Sequence, residues 1–192
     1  MFNPNHYILG IVPSITEEAL FCSSLKTELP SIQFSERPLF LPLSPSFEIS
    51  DRTLNYFVKE IEESIAFLHS TRINWGTLRV ASSQSEILVA PTSNQLIFTV
   101  AKYIRNAIID SKFVISVHER NFTPEMSFSI PLENHQEEIN QRANEILLDF
   151  SWYAESVSFL QFTEVGWQEK FFLPFAEQRK ERTKSHAILP CI

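Results

Sequence analysis

Residues 38–51 read PLFLPLSPSFEISD, an apolar extended run broken by Pro38, Pro42 and Pro45 that ends in a helix-capping Ser-Asp pair. Proline donates no backbone hydrogen bond, so Pro42 confines this segment to a sheet edge, a bulge or a strand end. From Ser50-Asp51 a helix follows, because Leu54, Phe57, Val58, Ile61, Ile65 and Leu68 recur at 3.6-residue spacing while Lys59, Glu60, Glu62 and Glu63 take the other face. The same arrangement returns at 124–135, PEMSFSIPLENH, which leads into a helix from about His135 with the stripe Ile139, Ala143, Ile146, Leu147 and Phe150. A proline-led extended segment feeding an amphipathic helix thus occurs twice, a faint internal repeat.

The remaining elements are read outward from this pair. HYILGIV (6–12) is a buried strand that stops at Pro13. Ser14-Ile15-Thr16-Glu17 has the form of a capping box and opens a helix that runs toward Pro30. TLRVAS (77–82) and SEILVA (85–90) read as a hairpin, and Thr92-Ser93-Asn94 caps a helix with Leu96, Ile97, Val100, Ala101, Ile104 and Ile108 inward. KFVISVH (112–118) alternates with Phe113, Ile115 and Val117 on one face, and ESVSFLQFT pairs with EKFFLPF through a turn near Gly166. About four helices and seven or eight strands are expected. Their order lacks the regular alternation of a parallel doubly wound sheet, which points to a mixed α+β fold.

Composition excludes several classes of function. The 192 residues, 44% hydrophobic and 20% charged, describe an ordinary globular protein, and no apolar run approaches the roughly 20 residues that cross a bilayer. The first residues carry no basic n-region of a signal peptide, so a cytoplasmic protein is expected, with no membrane partner. A formal charge of -7 argues against broad binding to duplex nucleic acid. Cys22 and Cys191 have no metal or disulfide spacing. Arg179, Lys180, Arg182 and Lys184 lie in a basic C-terminal stretch, 177–192, read as a flexible tail after a single domain at 1–176.

On four features, HYILGIVPS with its helix, PLFLPLSPSFEI, the hairpin and helix of 77–108, and FTPEMSFSIPL, the chain resembles the 2H phosphoesterase superfamily. That group includes the 2'-5' RNA ligases and RNA 2',3'-cyclic phosphodiesterases. The closing SVSFLQFTEVGWQEKFFLPF is similar to the last hairpin of the family. The resemblance implies an α+β, bilobal, pseudo-twofold fold with mostly antiparallel sheets and helices on the outer faces. Each lobe would lend a His-x-Thr/Ser strand to a shared cleft. Two imidazoles suit the chemistry, since one deprotonates the attacking water and the other protonates the leaving oxygen near neutral pH, while the hydroxyls hold phosphoryl oxygens.

Both motifs depart from that pattern. Aligned by their prolines, Leu39 stands at the first His and Leu41 at the Thr, and neither side chain moves a proton. In the second, Glu125 takes the His position and Ser127 keeps the hydroxyl. Among the histidines, His118 is the candidate for a displaced catalytic imidazole. His69 spells His-x-Thr by chance at a helix end, and His6, His135 and His186 show no metal-ligand spacing. Arg37, Arg79 and Arg120 are the cations placed to hold an anion. No cofactor and no metal are expected.

Three functions stay open on these residues. The first is a catalytically impaired 2H-like protein that binds a nucleotide, an RNA end or a protein partner in or near the cleft. The second is a phosphodiesterase acting through Glu125, Ser127 and a displaced histidine. The third is an interaction module with a filled cleft and a Phe-rich C-terminal hairpin as its contact surface.

Overall fold

The computed structural model describes residues 6–30, 32, 34, 39–81, 86–92, 95–118, 122–129, 146 and 151–176. In chain order the elements are β1 (His6–Ile11), α1 (Ile15–Glu28), β2 (Leu41–Pro42), β3 (Phe47–Ile49), α2 (Asp51–Ser64), β4 (Thr71–Val80), β5 (Glu86–Pro91), α3 (Gln95–Asp110), β6 (Val114–Val117), β7 (Met126–Ser129), β8 (Ser151–Ala154), β9 (Ser156–Thr163) and β10 (Gly166–Pro174). They form two sheets. The first has the order β10-β9-β1-β3-β6 with β2 also paired to β1, and the second the order β7-β5-β4-β8. Every strand pair among the described residues is antiparallel, in keeping with the expected α+β class.

β1 organises the first sheet by simple alternation. Tyr7, Leu9 and Ile11 turn into the core, while His6, Ile8 and Gly10 turn to the opposite face. Phe159 opposes Leu9 on β9, and Phe47 opposes Tyr7 on β3. α2 covers this apolar face, its Phe57 ring edge-on to Phe47 and Phe159 at 5.5 and 6.0 Å. The Tyr7 hydroxyl bonds Asp51 at the start of the same helix, and burial together with that carboxylate pushes its pKa up to about 12.

The second sheet is held by α1, although α1 follows β1 directly. Phe21 packs against Trp75, Trp152 and Phe128, with centroids 5.3 to 5.6 Å apart, so one helix ties the two sheets together. Its capping box forms as expected, Ser14 accepting from the Glu17 N–H. The same Glu17 carboxylate accepts from Ser14 N at 2.9 Å and from Tyr153 N of β8 at 2.7 Å, which fastens the helix start to the edge of the second sheet.

Several elements depart from the sequence expectation. The strand read at 77–82 begins earlier, at Thr71, and His69 lies outside a helix because α2 ends at Ser64 with Ile65 as its C-cap. β8 takes SWYA, a strand hidden behind the helical stripe read up to Phe150. The helix read from about His135 and the tail at 177–192 lie outside the described residues. In β6 a register shift between Glu48 and Ile49 of its partner turns Val114 and Val117 toward the core and leaves Ile115 66% exposed, against the inward role read for it. Leu96 is exposed for a simpler reason: it lies to the side of the Ile97, Val100, Ile104 and Ile108 stripe that α3 buries.

β2 depends on a close approach at Gly10. A Cβ there would sit 2.9 Å from the Leu41 carbonyl oxygen and 2.8 Å from Cδ2 of Phe40. Backbone cannot yield as a side chain can, so Gly10→Ala is expected to displace β2 and destabilise the fold by about 1–3 kcal/mol. Urea unfolding checks this, with a lowered midpoint at an unchanged m-value as the expected result.

Candidate functional site

The two sheets face each other across a cleft of about 340 Å³. One wall comes from the first sheet and its loop, with Ile8, Pro42, Ser44, Pro45, Ser46 and Trp167. The other comes from the second sheet and the strand leading into it, with Leu88, Phe122, Thr123, Glu125 and Ser127. Antiparallel register sets the second wall, since Leu88 pairs with Arg79 on one side and with Ser127 on the other, placing all three on one face. Met126 and Phe128 are buried between them, which aims Glu125 and Ser127 at the cleft. The Arg79 guanidinium donates to the Glu125 carboxylate.

The structure places Leu39 and Leu41 differently from the alignment by prolines. Leu41 and Leu43 are fully buried in the core, so the side chains on the other face are Phe40 and Pro42. Phe40 lies over Gly10 and meets Trp167 edge-on at 6.0 Å, and Leu39 packs partly buried against the core. Just after β2 the Ser44 hydroxyl accepts from Leu9 N at 2.9 Å, and Leu43 N donates to Leu9 O at 2.7 Å. Leu39 and Leu41, read at the positions of the first motif, thus pack toward the core, and Phe40 and Pro42 take the other face. Arg37 and Arg120 lie outside the described residues.

His118 lies on the same face of the first sheet as His6, in company that sequence spacing did not reveal. His6 and Glu48 are opposite each other in the β1–β3 pair, and His118 N donates to Ser46 O, continuing the β3–β6 ladder. The result is a cluster of His6, Glu48 and His118 whose ligand atoms lie within 4.8 Å of one another. The two imidazoles stack with centroids 4.8 Å apart, His118 Nε2 is 3.7 Å from Glu48 Oε1, and Ser116 donates to Glu48 Oε2 at 3.1 Å. Trp167, which lines the cleft, is 5.9 Å from His6 and joins the cluster to it. Only the pairing of β1, β3 and β6 brings positions 6, 48 and 118 together. A larger hollow of about 450 Å³ between α3 and β6 has Arg105 in its wall but no carboxylate or imidazole among its described lining residues.

No protein-family profile matches the chain, and no curated protein matches it significantly. Solved structures do. The chain is similar to apo LigT of E. coli at a TM-score of 0.65 and 10% identity, over 91% of this chain and 99% of LigT. The chain has a LigT-like fold. A Thermus thermophilus protein, TT0787, gives 0.62 at 10% identity over 88% and 97% of the two chains, and Usb1 of Kluyveromyces marxianus gives 0.50 at 12% over 88% and 98%. LigT has also been solved with 3'-AMP, ATP and NADP+. Within this LigT-like fold the cleft between the sheets is where Glu125 and Ser127 face Pro42 and Ser46.

The His6 pKa is lowered, by burial first and by the neighbouring His118 second, with Glu48 opposing both. The unfolded chain then binds a proton at His6 near pH 6.5 while the folded chain does so only at lower pH. In that window the unfolded state holds more protons, so stability rises with pH and is lost as pH falls. Urea midpoints measured between about pH 5 and 8 should show this slope below about pH 6.5, and His6→Gln should flatten it.

Proposed function

We propose that this chain binds a nucleotide or the phosphorylated end of an RNA in its 2H-type cleft and does not hydrolyse it. The observation that carries the reading is the wall at the first motif, where Phe40 and Pro42 present no group able to give or take a proton. Hydrolysis of a cyclic phosphate needs both an acid and a base. Glu125 on the opposite wall is held by Arg79, which offsets the charge that would otherwise repel a phosphate. A guanidinium has five donors, more than one carboxylate uses, and the hydroxyls of Ser46, Thr123 and Ser127 line the same space. Trp167 offers an aromatic face for a base. The nucleotides found in LigT structures favour the same class of ligand. In this reading residues 1–176 act as one bilobal unit, each half contributing a wall.

The phosphodiesterase reading retains one specific observation, His118 beside Glu48. Two experiments separate them. Nucleotides and short RNA ends are expected to raise Tm, because a ligand at about 100 times its Kd stabilises by about 2.7 kcal/mol, a rise on the order of several degrees. Arg79→Ala should weaken that binding by about tenfold or more, the worth of a charge-assisted hydrogen bond. Glu125→Gln should leave it intact or tighter, whereas an enzyme relying on Glu125 would lose turnover. Release of product from 2',3'-cyclic or 2'-5' linked substrates by purified protein, followed chromatographically, overturns the non-hydrolytic reading. The absence of a Tm shift with every nucleotide overturns the binding reading.

A further inference from the structure

We infer that His6, Glu48 and His118 form a binding site for a divalent cation of the zinc class at the first-sheet end of the cleft. The donor set is two imidazole nitrogens and a carboxylate oxygen, which suits Zn²⁺, Co²⁺ or Ni²⁺ rather than the all-oxygen shells of Mg²⁺ or Ca²⁺. Three protein ligands leave a tetrahedral ion with a fourth position, and the cluster meets the cleft at Trp167.

Two features argue that the grouping is more than a chance meeting of polar side chains. Adjacent strands fix the three residues: His6 and Glu48 by direct register, His118 by its N–H bond to Ser46 O at 2.8 Å. Sites on such scaffolds hold their geometry better than sites on loops. The Ser116 hydroxyl binds one oxygen of Glu48 and thereby orients the carboxylate, with the other oxygen on the His118 side. Outer partners commonly orient metal ligands in this way.

The distances set what must move. Ligands about 2.0–2.1 Å from a tetrahedral ion are about 3.3 Å from one another. The donor atoms here lie within 4.8 Å, so they must close by at most about 1.5 Å, within the reach of side-chain rotation on a fixed backbone. The stacked rings must tilt so that a nitrogen of each turns toward Glu48. His118 is half-exposed and sits at the strand end, where such rotation meets little resistance.

The test uses the full-length chain, stripped with a chelator and titrated with Zn²⁺ by calorimetry and with Co²⁺ by visible absorption. The expected result is one equivalent of each ion, with Co²⁺ giving the intense bands of a tetrahedral complex and millimolar Mg²⁺ failing to compete. His118→Ala should reduce affinity by at least about 100-fold. Ser116→Ala should reduce it by about 10- to 100-fold, as loss of an outer partner does. His69→Ala, a change outside the cluster, should leave it unchanged. If His6→Ala fails to fold, the half-exposed His118 still carries the test, with circular dichroism confirming its fold. Absence of saturable Zn²⁺ binding below about 100 μM, or binding that survives His118→Ala undiminished, overturns the site. None of these readouts involves a nucleotide, so failure here is distinct from failure of the cleft as a nucleotide site.

Discussion

The side-chain alternation of β1 is the constraint on which the rest depends. A strand has two faces and no intermediate, so committing Tyr7, Leu9 and Ile11 to the core also commits His6, Ile8 and Gly10 to the cleft. The first set accepts Phe47 and Phe159 from the flanking strands and, through them, Phe57 of α2. The second set supplies an imidazole, an apolar floor and a position with no side chain at all, which lets Phe40 lie down beside Trp167. A shift of β1 by one residue would exchange these roles and abolish core and cleft together.

α1 carries that organisation to the second sheet. Phe21 is buried among Trp75, Trp152 and Phe128, three aromatic residues from three strands, and truncating a buried Phe of this kind costs about 3–5 kcal/mol. Because the helix leaves β1 and docks on the other sheet, the separation of the cleft walls follows from its length and from the anchoring of Glu17 to Tyr153. The buried residues of both sheets form one apolar cluster, and Phe21 and Leu25 of this helix lie within it.

Much of this was legible in the sequence where the signal is local. Ser14 and Glu17 announced their cap, and the α2 stripe its buried face. The first motif was not legible at the same precision. Between Leu43 and Phe47 the chain leaves the strand through Ser44, Pro45 and Ser46, so parity cannot be counted across it, and Phe40 with Pro42 took the face assigned to Leu39 and Leu41. His6, Glu48 and His118 could not be grouped either, since only strand pairing makes neighbours of residues so far apart in the chain. β8 escaped because four residues following a helical pattern carry too little periodicity to declare themselves.

The ion pair between Arg79 and Glu125 has a consequence for selectivity. Any anion that reaches for the guanidinium meets a carboxylate already tethered on a nearby strand, an internal competitor whose effective concentration is set by the backbone and is on the order of millimolar or above. Chloride and other weak monoanions offer Arg79 nothing that Glu125 does not already provide. A group that brings two charges, or one charge with further hydrogen bonds to the surrounding hydroxyls, can win that exchange. If the cleft takes an anion as proposed, Glu125 thus sets a threshold for its entry.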